Sequence, residues 1–380
     1  MRIAYTTIFD ARDIHQWSGI PYHMSNACKE IDIQVDYIGS LTQKLPPFFK
    51  AKQIWKKWIA HQHDSPRFHP VVIKNYAKQV TQQLKSLSVD AILAPLINPI
   101  AYLDCKQPIV LWTDALYAAL LGFYSPSSHR SSRSSLEINR TTFECLSRTS
   151  LAIFSSDWAA RSALELYGIN KEKVKVVPFG ANIDSYPNYS DIQTIIKNRS
   201  HHTIKLLFLA KEWERKGGEV VLAVTKALHD AGHSVELTLI GCTPKNLNPI
   251  PAYIQPLGFI SKFNLEGKLK IQNLLKESHF LFVPSRAEAY GIVFCEANAF
   301  GMPCLTTYVG GIGTIVKDHL NGMTFALDAS IQTYCDYIVN MMQDRKRYEA
   351  LALSSYNEFI TRLNWKVATE QVKKMIEEII

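Results

Sequence analysis

Short runs of branched apolar residues, each followed by a longer amphipathic stretch, recur along the chain in two separate series. In the first, MRIAYTTIFD reads as an apolar strand, a polar loop with Gly19 follows, then a helix over residues 20–30 and a strand over 33–38. Further strands are expected at 91–94, 109–112, 151–154 and 174–177, alternating with helical segments. Apolar runs this short, spaced by helices, mark strands of an open parallel sheet. From 185 to 201 the apolar runs stop and the chain turns polar, with Pro187, Asn188, Asn198 and Ser200, which reads as an interdomain linker. The rhythm then restarts. IKLLFLA is a strand, 211–217 a polar loop, 218–230 a helix and 234–241 the next strand, with strands again at 280–284 and 304–307. At 380 residues the chain is about twice a common domain of ~100–200 residues. The expected fold class is α/β, two Rossmann-like domains facing each other across a cleft, since open α/β sheets bind ligands at the carboxyl ends of their strands.

Composition narrows the class further. With 47% hydrophobic, 11% aromatic and 20% charged residues the chain is too apolar to be disordered. Its longest apolar stretches reach about half of the ~20 residues needed to cross a bilayer. Met1 leads straight into a strand pattern without a basic and then apolar leader, so a cytoplasmic location is expected. The seven cysteines, Cys28, Cys105, Cys145, Cys242, Cys295, Cys304 and Cys335, contain no CxxC pair, which points to reduced, buried thiols and away from a zinc site. A net charge of +8 calls for an anionic partner without choosing among nucleic acid, membrane surface and phosphorylated substrate. Residues 44–85 stand apart. Their run FFKAKQIWKKWIAHQ sets Lys50, Lys52, Lys56 and Lys57 among Phe48, Phe49, Trp55 and Trp58, a pattern that suits an anionic membrane surface and equally a helix packed on the first domain with its lysines in water.

The chemistry concentrates in residues 283–316, VPSRAEAYGIVFCEANAFGMPCLTTYVGGIGTIV. A strand ends, a loop carries Glu288, a helix starts near Gly291, and Gly301 with Pro303 stops it. The amides of Gly291, Ile292 and Val293 at that helix start, with the positive end of the dipole behind them, suit a phosphate. Glu288 and Glu296 are acceptors beside this anion site, a costly arrangement unless they hold hydroxyl groups; sugar and ribose hydroxyls meet that need.

At these residues the sequence resembles the retaining glycosyltransferases of the GT-B fold, family four (glycosyl transferases group 1), whose signature is two glutamates with seven residues between. Glu288 and Glu296 have that spacing, inside AEAYGIVFCEANAFGMP and ahead of GGIGTIVKDHLNG. The resemblance implies that Glu288 lies by the donor sugar, Glu296 binds the nucleotide ribose, and the Ala289–Tyr290–Gly291–Ile292–Val293 stretch meets the donor. In LAKEWERKGGEVVLAV it places Lys211 and Lys216 on the donor diphosphate, although arginine is commoner than Lys211 at the first position. It assigns Gly19 to a loop approaching the diphosphate from the first domain, Gly258, Phe259 and Ile260 to the loop flanking the base, and Asp114 to the acceptor side, where a helix cap is an equal reading. The implied organisation is an acceptor-side domain over 1–186, a linker over 187–201, a donor domain over 202–362 and a terminal helix over 363–380 packing back on the first domain.

The implied reaction moves a hexose from a UDP- or GDP-linked sugar to the hydroxyl of a glycan or lipid-linked acceptor, retaining the anomeric configuration, in glycan or glycolipid synthesis. No DxD motif is present in the reading, so no metal and no cofactor are expected, and no nucleic acid partner. Alternatives in keeping with the same residues are a sugar-nucleotide epimerase or phosphorylase, or a binder of nucleotide sugars without turnover.

Overall fold

The computed structural model describes residues 1–45, 68–124, 132–244 and 249–380. The basic aromatic run at 48–62 lies outside the described residues. The chain divides into two compact units, Met1–Pro178 with Ala368–Ile380, and Phe179–Val367.

The first unit is built on a sheet of β1 (Arg2–Thr6), β2 (Gln34–Ile38), β3 (Ala91–Ala94), β4 (Ile109–Thr113), β5 (Leu151–Phe154) and β6 (Val174–Val176), in the order β2-β1-β3-β4-β5-β6 and parallel throughout. Its central strands are apolar at consecutive positions because helices cover the sheet: β3 and β4 are buried along their whole length. The helix Pro70–Leu84 contributes Val72, Ile73, Tyr76 and Val80 to the same core. Its start is fixed by Pro70 and by His69, whose Nδ1 accepts from the Val71 amide at 3.3 Å.

The second unit repeats the plan with β7 (Ile204–Ala210), β8 (Val235–Gly241), β9 (Ile254–Pro256), β10 (Phe280–Phe282), β11 (Cys304–Thr307) and β12 (Gly322–Phe325). These are again parallel, in the order β12-β11-β10-β7-β8-β9. The order reverses between β7 and β10, whose neighbouring residues pair as Phe280 with Leu206 and Leu281 with Leu207. Such a reversal sends the two following loops to opposite sides and opens a crevice at the carboxyl edge. The loops that leave β7 and β10 carry Lys216 and Glu288.

The structure corrects the expected linker. Residues 187–201 hold a helix, Tyr189–Asn198, which belongs to the second unit, and the unit boundary falls earlier, at Pro178. The Asn188 side chain caps it by accepting from the Asp191 amide at 3.0 Å, and Ile192 and Ile196, one turn apart, are buried. Polar residues on the other faces hide this short apolar stripe in the sequence. Arg199, just beyond it, is 1% exposed. Its guanidinium donates to the carbonyls of Leu275, Lys276, Phe300 and Gly301 and to the Tyr348 hydroxyl, tying together the ends of two helical segments. The last helix, Trp365–Glu377, leaves the second unit and enters the first, where Val372 and Ile376 are buried and Lys373 Nζ donates to the Ile31 carbonyl at 3.1 Å.

All seven cysteines are free thiols, with Cys105 and Cys242 half-buried and the others buried. Burial pushes Cys28, Cys145 and Cys295 up to about 12, as expected of inert thiols. Among the described residues no helix is long and apolar enough to cross a membrane.

Candidate functional site

Lys216 and Glu288 stand 72 positions apart in sequence and meet in an ion pair between Nζ and Oε2. Both side chains are largely withdrawn from water, at 12% and 9% exposure. Gly217 makes the meeting possible. Its φ is +74°, and a Cβ there would lie 2.1 Å from the Pro284 carbonyl oxygen, so only glycine lets the loop after β7 reach the loop after β10. Arg215 then locks the loops together. Its carbonyl accepts from the Arg286 amide at 2.7 Å, and its Nη1 donates to the Ala287 carbonyl at 2.9 Å and lies 3.7 Å from Glu288 Oε2. Glu212 holds the other edge of that guanidinium, at 2.6 and 3.0 Å, and the pairing keeps the Glu212 carboxyl below its usual range.

Glu296 is 3% exposed and lies in the helix Ile292–Asn298. Its Oε2 pairs with Lys262, which comes from the loop after β9. Lys262 is absent from the expected site residues, because no local pattern in GFISKFNLEG marks it; only the return of that loop across the sheet edge places it on Glu296. The two glutamates thus share one design. Each is a buried carboxylate with Oε2 held by a lysine, and Oε1 makes no hydrogen bond or ion pair among the described residues. A carboxylate oxygen left uncommitted beside an ammonium is a ready acceptor for a hydroxyl.

The remaining expected residues stand in different surroundings. Gly291 has φ +96° and a Cβ there would meet the Phe294 ring at 2.7 Å and Glu288 Cγ at 3.2 Å, so the turn between the two glutamates is tight. Ala289, Tyr290 and Val293 are buried and Ile292 is half-buried. The Tyr290 hydroxyl is spent inside the unit, donating to the Phe179 carbonyl at 2.5 Å, and burial holds that phenol well above its usual range. Lys211 is exposed just beyond β7, in contrast to Lys216, which is largely withdrawn from water against Glu288. Gly258, Phe259 and Ile260 follow β9, with the Gly258 carbonyl accepting from the Gly241 amide at 2.8 Å and Phe259 67% exposed. Gly19 and Asp114 lie in the first unit, after β1 and β4. Gly19 closes a left-handed run, with φ of 43°, 57° and 82° at Trp17, Ser18 and Gly19.

Residues 191–357, nearly the whole of the second unit beyond its first helix start, match the family model Glycosyl transferases group 1. The second unit belongs to the group 1 glycosyl transferases. Within this group 1 domain the match covers Lys216, Lys262, Glu288 and Glu296 together. A curated relative, the D-inositol 3-phosphate glycosyltransferase of Xylanimonas cellulosilytica, is 25% identical over 177 residues, 43% of this chain and 42% of its own length. The chain therefore spans less than half of that relative. Two solved structures align over the whole chain. Sucrose-phosphate synthase from Thermosynechococcus elongatus covers 100% of this chain and 99% of its own at a TM-score of 0.69 and 15% identity. Anabaena HepE, solved in complex with UDP-glucose, covers 100% of both chains at a TM-score of 0.61 and 16% identity. At these identities the likeness is one of fold, and the two parallel six-stranded sheets are those of the GT-B class.

Proposed function

We propose that this chain is a glycosyltransferase that moves a hexose from a nucleoside diphosphate sugar, UDP- or GDP-linked, to an acceptor hydroxyl with retention of configuration. The observation that carries the reading is the pair of buried carboxylates at a sheet switch point, each with one oxygen on a lysine and the other uncommitted. In this reading Glu288 Oε1 accepts from hydroxyls of the donor sugar and Glu296 Oε1 from the ribose. Lys216, with Lys211 at the end of β7, sets positive charge against the diphosphate as it departs, which lowers the barrier where negative charge grows and supports transfer without a metal. Arg215 positions both loops.

Two variants test this. Glu288→Ala and Lys216→Ala are each expected to cut transfer by about 100-fold or more, the scale of one lost charge-stabilising group, as read by release of nucleoside diphosphate in the presence of an acceptor extract. Rates within a few-fold of the unaltered protein would sink the assignment. Product formed without any acceptor would instead favour an epimerase.

We also propose that the acceptor is presented at an anionic membrane surface on the cytoplasmic side. Lys74, Lys78 and Lys85 support this, lining one open groove of the first unit with Tyr102 and a single acid, Asp104. Sedimentation with vesicles containing anionic lipid should show binding that weakens with salt; equal binding to neutral vesicles would remove the idea.

A further inference from the structure

Tyr308 is the first residue beyond β11 and is 71% exposed. Hydrogen bonds on either side of it fasten its loop to the turn that carries Glu288. Thr307 Oγ1 donates to the Ser285 carbonyl, and the Gly311 amide donates to the Glu288 carbonyl at 3.0 Å. Residues 308–310 therefore run alongside that turn, at the carboxyl edge of the sheet. The backbone of Tyr308 is fixed as well, its amide donating to the Phe325 carbonyl at 2.8 Å. The ring rests on Gly313, where a Cβ would come within 2.6 Å of a ring carbon. One part of the ring is thus packed on backbone while the rest faces water. A side chain already ordered in this way loses little freedom when a ligand covers it.

Two other tyrosines of this unit, Tyr334 and Tyr348, are buried at 2% and 0% and serve packing. Tyr308 is instead mostly exposed, on a backbone fastened to the turn that carries Glu288, whose carboxylate has an uncommitted oxygen. A hexose offers an apolar C–H face and a rim of hydroxyls, and a flat ring next to an acceptor oxygen matches both. We propose that Tyr308 is the stacking platform for the hexose of the donor, covering its C–H face while Glu288 accepts from its hydroxyls. This inference rests on the functional reading above and adds a specificity-determining residue to it.

Calorimetric titration of UDP, UDP-glucose, GDP and GDP-mannose into the full chain, Tyr308→Ala and Tyr308→Phe tests it. The alanine variant is expected to bind the free nucleoside diphosphate as the unaltered protein does. It should lose about fivefold to tenfold of the added affinity for the nucleotide sugar, the scale of one aromatic contact, and phenylalanine should restore it. An alanine variant that keeps the full sugar-dependent increment overturns the proposal. So does an unaltered protein that binds sugar-bearing and free nucleotides alike. Failure of the functional reading looks different: the unaltered protein would then bind none of the four.

Discussion

Glu296 holds a carboxylate at 4% side-chain exposure with Lys262 as its ion-pair partner, and Lys262 itself stays 35% exposed. Leaving a buried charge without a counter-ion would be far more costly than leaving either residue in water, so the lysine from the loop after β9 is part of what permits an acid at this place. The spacing of the two glutamates was readable from the chain, whereas Lys262 and Arg215 were not, because their roles come from loops that meet only across the sheet edge. His279 shows the same dependence on surroundings. It is wholly buried, its Nδ1 accepts from the Lys205 amide at 3.0 Å, and its Nε2 faces the Ser200 carbonyl at 2.9 Å. Burial first, and the Arg199 charge second, hold the imidazole down at about 3, against 6.5 when free. The folded protein therefore refuses a proton that the unfolded chain accepts. Below pH about 6.5 stability falls by about 1.4 kcal/mol per pH unit on this account, until the folded group titrates near 3. His279→Gln, which keeps a donor and an acceptor without titrating, is expected to flatten that acid limb in urea unfolding followed from pH 7 to 4. An unchanged pH slope would refute the assignment.

Among the elements, the loop after β7 shows how little of a site lies in charged residues alone. Lys216 reaches Glu288 because Gly217 adopts φ +74° under the Pro284 carbonyl. Gly217→Ala should cost about 1–3 kcal/mol in backbone strain and, by pushing the loop off β10, weaken nucleoside diphosphate binding while leaving β7 and the helix Gly218–Asp230 in place. Comparing the urea midpoint with the affinity for UDP and GDP checks this; a variant unchanged in both would show that the loop adapts freely. The strands themselves were legible. β3, β5, β7 and β11 have the expected limits, since short runs rich in apolar and β-branched residues have few other uses. β9 and β12 were not. Each is short, one ends on Pro256 and the other begins on Gly322, and both sit at sheet edges where one neighbouring strand suffices.

For the whole molecule, the last helix has one foot in each unit. Trp365 stacks on Phe179 with ring centroids 5.3 Å apart and donates to Asn182 at 2.8 Å, while Ala368, Val372 and Ile376 are buried in the first unit. Truncation after Val367 removes two large buried apolar side chains, each contributing about 1.5–3 kcal/mol. It is expected to lower the melting of the first unit, with nucleoside diphosphate binding to the group 1 domain retained. Calorimetry resolving one early and one unshifted transition would agree, and a single unshifted transition would not. The sequence alone determined the α/β class, the doubling of the sheet and the two glutamates on either side of one helix start, because strand burial and helix starts are written in neighbouring residues. The tertiary structure decided the rest: where the units divide, that residues 189–198 are helix, and that Lys216 and Lys262 are the counter-ions of Glu288 and Glu296. Those depend on strand order and on the close passage of loops from β7, β9 and β10, contacts between residues far apart in the chain that no local pattern encodes.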